Sequence, residues 1–434
     1  MQYSINKKML SIKLTMISLG LMAILILFAQ CNQMGKESSK TAPADSWHIL
    51  MLESEMHRNP QAWMLDFERR PKWNYTHGLV LMATEKIWKQ TGDQRYFDWI
   101  KAYYDEMIDS TGTINFNFKI DNYNIDHIKP GINLFDLYDQ TGDTRYLTAL
   151  NTLRGQLHSH PRTYDGAFWH KKVYPHQLWL DGVYMNTPFY ARYGKVFNEP
   201  DNFNDVLLQI TVVEEKTRDS KTGLLFHAYD ESRNMPWADP QTGHSPNFWG
   251  RAMGWYAMAL VDVLDYFPSD HPGRQTITGV LKRLMDALLA FQDPETGLWY
   301  QVVDMPGHEG NYQEASVSAM VAYTLTKAVN NNLLDASYME FAQKAYQGIL
   351  DYLISYDEEG FIHLNQVCGV AGLGGNPYRD GSYDYYINEI IRSNDPKGVG
   401  PFMLLSMEME RAGIKLTRND INENDLRRVL KTLL

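Results

Sequence analysis

Thr222-Gly223-Leu224-Leu225 is a glycine turn followed at once by apolar residues, and the pattern returns along the chain. It stands upstream as Thr111-Gly112-Thr113-Ile114 and Asp165-Gly166-Ala167-Phe168. Downstream it is Thr296-Gly297-Leu298-Trp299 and Glu359-Gly360-Phe361-Ile362. The glycines are 54, 57, 74 and 63 residues apart. Each interval accommodates two helices of ~8–20 residues with their connections, so the repeat unit is a helical hairpin. Five turns plus an N-terminal unit give six hairpins. They form either an open solenoid or a closed ring, and the ring is expected because it leaves no apolar end exposed.

The segments between the turns agree with this reading. Val280, Leu281, Leu284, Leu288 and Leu289 recur at helical spacing, as do Phe341, Ala345, Ile349, Tyr352 and Leu353, and the run Met403 to Met409 is similar. Such stripes are core faces, and sustained alternation is almost absent. Thr91-Gly92-Asp93 and Thr141-Gly142-Asp143, each followed by Arg and Tyr, read as helix-to-helix turns. Residues 47–434 contain no linker-like stretch and are expected to be one domain.

Before that domain, Lys7, Lys8 and Lys13 precede an apolar run from Leu14 to Ala29 that ends at Gln30-Cys31. This is expected to be a signal peptide over 1–31, of lipoprotein type with Cys31 as the lipid-bearing residue, or else ordinarily cleaved, because Gln30 is larger than usual before such a cysteine. Residues 32–46 form a flexible linker. The protein would then work outside the cytoplasm, in the periplasm or anchored to the outer membrane of a bacterium, touching membrane only through that anchor. Over the whole chain, 41 Lys+Arg against 52 Asp+Glu give a net charge of −11, which argues against nucleic acid as a partner. Two cysteines exclude a disulfide scaffold, and aromatic residues at 13% suit carbohydrate binding.

Several residues carry chemistry. His170 and His227 each follow their turn glycine by four residues, which places them in one cleft if the repeats superpose. In Pro175-His176-Gln177-Leu178-Trp179-Leu180-Asp181-Gly182-Val183-Tyr184-Met185, Pro175 is expected to open a helix with Asp181 well inside it. A carboxyl in apolar company resists ionisation and can serve as a general acid near neutral pH. Asp126 precedes Asp181 by 55 residues and is a second candidate, with Lys129 nearby as a bland salt-bridge partner. In Ser245-Pro246-Asn247-Phe248-Trp249-Gly250-Arg251-Ala252-Met253-Gly254-Trp255, Ser-Pro is expected to start a helix. Arg251 and Trp255 then share a face, where they either grip a sugar acid or pack structurally. Gly250 and Gly254 imply a close approach, since each costs about 1 kcal/mol against Ala inside a helix. Glu314 is a further acid or a helix-start residue. Phosphate loops, zinc spacings and serine-hydrolase elbows are missing, so no metal and no cofactor is expected.

Together these segments resemble the unsaturated rhamnogalacturonyl hydrolases of glycoside hydrolase family 105. The likeness rests on Trp179 to Met185, His227-Ala228-Tyr229-Asp230-Glu231-Ser232, Trp237-Ala238-Asp239-Pro240 with Ser245 to Trp255, and Ala371 to Tyr383. It implies an all-α (α/α)6 barrel. It also implies removal of a 4,5-unsaturated uronic acid from the non-reducing end of lyase products, by hydration of the double bond. On this resemblance Asp181 is the acid/base and Asp126 the second aspartate. Asn74, Tyr75, His170, Lys172, His227, Arg251 and Trp255 would line the substrate pocket. The partner implied is an unsaturated oligosaccharide of rhamnogalacturonan or a related polymer. A glucuronyl hydrolase of a sister family, an inverting glycosidase and a non-catalytic oligosaccharide-binding lipoprotein are the alternatives.

Overall fold

Gly112, Gly166, Gly223, Gly297 and Gly360 all adopt left-handed backbone, with φ between 74° and 89°. In each turn the glycine N–H donates back to a carbonyl three or four residues earlier, that of Asp109, Thr163, Asp219, Asp293 and Asp357 respectively. Side chains with a Cβ resist this conformation, which is why glycine marks the repeat. A sixth turn of the same build, Asp239 to Gly243 (φ 81°), lies inside a loop.

The computed structural model describes residues 46–418; the leader with Cys31, most of the linker and the chain beyond 418 lie outside the described residues. Helices run in chain order as α1 (Trp47–Arg58), α2 (Tyr75–Thr91), α3 (Gln94–Met107), α4 (Leu134–Thr141), α5 (Thr144–Ser159) and α6 (Leu180–Phe197). They continue as α7 (Asp201–Thr217), α8 (Gly250–Val263), α9 (Gly273–Leu289), α10 (Ala315–Asn330), α11 (Tyr338–Gly348), α12 (Tyr383–Ile387) and α13 (Pro396–Arg411). Gly92 and Gly142 end α2 and α4 in left-handed conformation, and Asp93 and Asp143 cap α3 and α5 by accepting from the Arg95 and Arg145 amides, both at 3.0 Å. The two Thr-Gly-Asp stretches are therefore helix-to-helix turns.

Helices α2, α4 with the short turn Lys129–Asn133 before it, α6, α8, α10 and α13 pack in succession, and α13 returns onto α2. Helices α3, α5, α7, α9 and α11 flank this inner ring, and α1 flanks α13. The sixth hairpin is thus assembled from the first and last long helices. The result is an (α/α)6 barrel. Helix α8 is enclosed on every side: all fourteen of its residues are buried, which matches its nearly continuous apolar sequence. Each glycine turn follows an outer helix and leads the chain back to the same end of the ring.

Two helix starts differ from the sequence expectation. Pro175 opens no helix; it lies in a turn before the strand β1 (Gln177–Trp179), which pairs antiparallel with β2 (Ala228–Asp230). That pairing holds the backbone extended through Trp179, so α6 begins at Leu180 and Asp181 sits in its first turn. Ser245-Pro246 likewise precedes α8 without starting it. Ser245 is buried and its hydroxyl accepts from the Ala228 amide at 3.2 Å, while Trp249 remains extended in a bridge to Val302. The close approach implied by Gly250 and Gly254 is that of α10: a Cβ would meet Val317 at 3.0 Å and Met320 at 2.7 Å.

Gly348, where α11 ends, is tighter still, since a Cβ there would collide with the Thr296 carbonyl oxygen. A backbone atom cannot swing aside. Gly348→Ala is expected to lower stability by about 1–3 kcal/mol, as overpacking does, and a urea titration checks it.

Candidate active site

The β1–β2 pairing brings two distant residues together. Trp179 pairs with Ala228, and the Leu180 amide donates to the His227 carbonyl at 3.1 Å. The first turn of α6 then places Asp181 Oδ2 3.4 Å from His227 Nε2. His227 is fully buried, and its Nδ1 is 2.7 Å from the Tyr386 hydroxyl on α12. Asp181 keeps 14% of its side chain exposed.

A second acid–histidine pair lies one repeat earlier. Asp126 sits in the short turn Ile125–His127, whose cap Asn124 accepts from the Asp126 amide at 3.1 Å. Its Oδ1 is 3.6 Å from His170 Nε2, and its Oδ2 is 2.6 Å from Lys171 Nζ. Burial opposes ionisation of Asp126, but the charge of Lys171 and then the field of His170 outweigh it and hold the carboxyl below its ordinary range. His170 is felt by Asp126, Asp181 and His227 together, so the pairs share one electrostatic neighbourhood. The equal offset of the histidines from their turn glycines has its structural meaning here.

Aromatic rings build the wall. His170, Trp179 and Tyr174 stack in parallel, with 4.6 Å from His170 to Trp179 and 5.1 Å from Trp179 to Tyr174. Trp179 presents an edge to His227 at 5.3 Å, and Trp249 lies 4.7 Å from the same ring. Gly182 is needed for the stack, because a Cβ there would lie 3.1 Å from His170 Nδ1. Tyr75, at the start of α2, is half-buried and responds to the charges of Asp66, Asp126 and Arg251; its ring meets the edge of Trp255 at 6.3 Å. Trp255 itself is buried against Tyr184 at 5.2 Å. Asn74 donates to Asp66 Oδ2 at 3.1 Å, which fixes the entry to α2.

Three sequence expectations are corrected. Arg251 is 0% exposed and offers no free fork. Its guanidinium donates to Ser316 Oγ at 2.7 Å, Glu314 Oε1 at 3.1 Å, and the Cys368 and Gly369 carbonyls. The carboxylate it grips is the protein's own Glu314, which also caps α10 by accepting from the Val317 amide at 2.8 Å. Lys172 is exposed and turned to the Asp121 carbonyl at 3.3 Å, so the lysine at Asp126 is its neighbour Lys171. Lys129 does not pair with Asp126; it is buried with Nζ 4.0 Å above the Tyr184 ring, and burial pushes it down to about 7. Lys171, Trp249 and Tyr386 were missed as site residues. Lys171 had a signal in its place beside His170, whereas Tyr386 lies 159 residues from His227 with no local mark.

Among the described residues, no group of three or more His, Cys, Asp or Glu side chains is placed to hold a metal ion. His127, His160 and His170 are all pushed down to about 4 by burial, so the folded protein keeps these rings neutral. The unfolded chain protonates them near 6.5. Between pH 6.5 and 4 these three positions bind more protons in the unfolded chain, so they withdraw stability as pH falls through that window, more than the one carboxyl pushed up to about 7, Glu85, returns. Urea midpoints measured from pH 7 to 4.5 are expected to decline steadily; a flat profile contradicts the buried neutral rings.

A ring of six helical hairpins with paired carboxylates among aromatic rings at one end defines a carbohydrate-active enzyme fold. The chain belongs to Glycosyl Hydrolase Family 88, whose description matches residues 47–413. It is 45% identical to a C. acetobutylicum glycoside hydrolase of family 105 whose structure superposes with a TM-score of 0.81, covering 84% of this chain and 99% of that one. It is 29% identical to the unsaturated rhamnogalacturonyl hydrolase YesR of Bacillus subtilis, over 66% of this chain and 77% of the relative. A protein of Agrobacterium fabrum is 41% identical over 230 residues, 52% of this chain and 97% of its own length. The family-105 resemblance read from the sequence holds.

Proposed function

We propose that this protein releases the 4,5-unsaturated uronic acid from the non-reducing end of polysaccharide-lyase products, rhamnogalacturonan fragments foremost, by hydrating the double bond. The observation that carries the reading is the inequality of the two aspartates. Asp126 is committed to an ion pair with Lys171 at 2.6 Å, while Asp181 faces only a histidine at 3.4 Å. One carboxylate tied to a lysine and one held in no such pair fit a reaction in which a single carboxyl group handles the proton. Displacement at the anomeric carbon normally uses two carboxylates in set roles. The likeness to YesR supports rhamnogalacturonan as the substrate class.

In this mechanism Asp181 delivers its proton to C4, and positive charge develops at C5 beside the ring oxygen. The conjugate base then takes a proton from the water that attacks C5. The resulting hemiketal opens to a C5 ketone, and the hemiacetal left at C1 expels the neighbouring sugar, with one water consumed overall. Asp126 positions substrate or water, and its fixed charge faces the developing cation. Tyr174, half-buried and stacked beside the buried Trp179, offers a flat face for a sugar ring.

Turnover in heavy water tests this. Deuterium is expected at C4 of the released keto-acid and solvent oxygen at C5, and a saturated uronide is expected to be inert. Product without deuterium at C4, or cleavage of the saturated analogue, would move the protein to the inverting glycosidases.

A further inference from the structure

Tyr386 belongs to α12, far in sequence from the catalytic segments, and its hydroxyl is 2.7 Å from His227 Nδ1. On the other side of the imidazole, His227 Nε2 faces Asp181 Oδ2 at 3.4 Å. Each of these two atoms is buried, and neither has a hydrogen-bond partner of its own. Two orphaned polar atoms facing each other in a sealed space are costly unless one is a donor and the other an acceptor.

We propose that Tyr386 is a positioning residue that fixes the tautomer of His227, so that Nε2–H is aimed at Asp181 Oδ2 and Asp181 Oδ1 alone handles the proton. This deepens the hydration reading above and rests on it for the role of Asp181. A neutral imidazole carries one hydrogen, and the bond made at one nitrogen decides which nitrogen holds it. Burial pushes the Tyr386 phenol well above its ordinary range, so it keeps its proton, and in the proposed arrangement the hydroxyl donates across the 2.7 Å to Nδ1. Nε2 must then carry the ring hydrogen.

The consequence is a division of labour within one carboxyl group. Oδ2 is buried, so the 14% exposure of the Asp181 side chain does not come from it, and Oδ1 is the oxygen open to substrate. As the proton leaves Oδ1 for C4, negative charge spreads to Oδ2, where the Nε2–H bond strengthens. This donor favours the transition state over the neutral acid, which is what lowers a barrier. Trp179, edge-on to His227 at 5.3 Å, and Trp249 at 4.7 Å keep the ring from turning away.

The experiment combines nitrogen NMR with kinetics on the whole protein labelled with 15N-histidine. The His227 signals are identified by their loss in His227→Gln. The expected result is a protonated Nε2 in the native protein and a mixed or reversed tautomer in Tyr386→Phe, which keeps the ring packed on Trp249 at 5.9 Å. With it, kcat should fall about 10–100-fold, the range typical when a supporting hydrogen bond to a reactive group is lost, while KM stays within about twofold. A merely structural Tyr386 would change thermal stability and leave the tautomer alone. A protonated Nδ1 in the native protein overturns the proposal even if the variant does not fold, as does unchanged kcat in a folded variant. If the native tautomer is as expected but the native protein turns over no unsaturated uronide, the functional reading fails and the tautomer assignment stands.

Discussion

Asp181→Asn is expected to fold normally and lose turnover by about 10²–10⁴-fold, the usual contribution of general acid–base assistance. An amide cannot deliver a proton to C4, nor take one from the attacking water. The fold should not notice, because Asp181 is paired with no lysine or arginine and its contact with His227, at 3.4 Å, is one an amide can keep. Substrate binding should persist, since the aromatic wall and Asp126 are intact. Steady-state kinetics beside a thermal melt check this. More than about a tenth of native activity in a folded variant would take Asp181 out of the acid's role. Asp126→Asn offers a contrast, because it also strands Lys171 and should perturb stability and turnover together.

Glu314→Ala is expected to cost about 3–5 kcal/mol of stability, the penalty for removing one partner of a buried ion pair. Glu314 and Arg251 are both fully enclosed, so the deletion leaves a buried guanidinium without its ion-pair partner. The same side chain accepts from the Cys368 amide at 2.9 Å and the Val317 amide at 2.8 Å, so two backbone donors are orphaned as well. Chemical denaturation measures the loss, and a variant within about 1 kcal/mol of native would show the pair to be dispensable. By the same logic Arg251→Lys should act first on stability. A lysine cannot span Ser316, Glu314 and two carbonyls at once.

The ring was legible because its signals are local. A left-handed turn needs glycine wherever it occurs, so Gly112, Gly166, Gly223, Gly297 and Gly360 announce the hairpins one by one. The signal was not unique to hairpins, as Gly243 in the same kind of turn shows. The helix starts at Pro175 and Ser245-Pro246 misled for a tertiary reason. Both stretches are held extended or tied to β2 by the partner strand, and proline is compatible with that backbone too. In the candidate site, the equal repeat offset puts His170 3.6 Å from Asp126 and His227 3.4 Å from Asp181. Arg251 was read as a free fork because its partners Glu314 and Cys368 lie 63 and 117 residues away. The lysine was misplaced by one position because local sequence does not say which of two adjacent side chains turns inward.

Closure of the ring by α1 (Trp47–Arg58) on α13 (Pro396–Arg411) constrains how the molecule comes into being. In an open array, each repeat docks on its neighbour and stability accumulates step by step. Here the packing of α1 on α13 joins the first and last of the described helices and waits for α13 to be made, although α1 already meets α3 through Glu53 and Arg95 at 2.8 Å. Contacts of such sequence separation slow folding, and a partly made chain displays the apolar flanks that later become inner seams. Deleting any one hairpin should therefore not give a smaller enzyme; it should leave a gap that five hairpins cannot span.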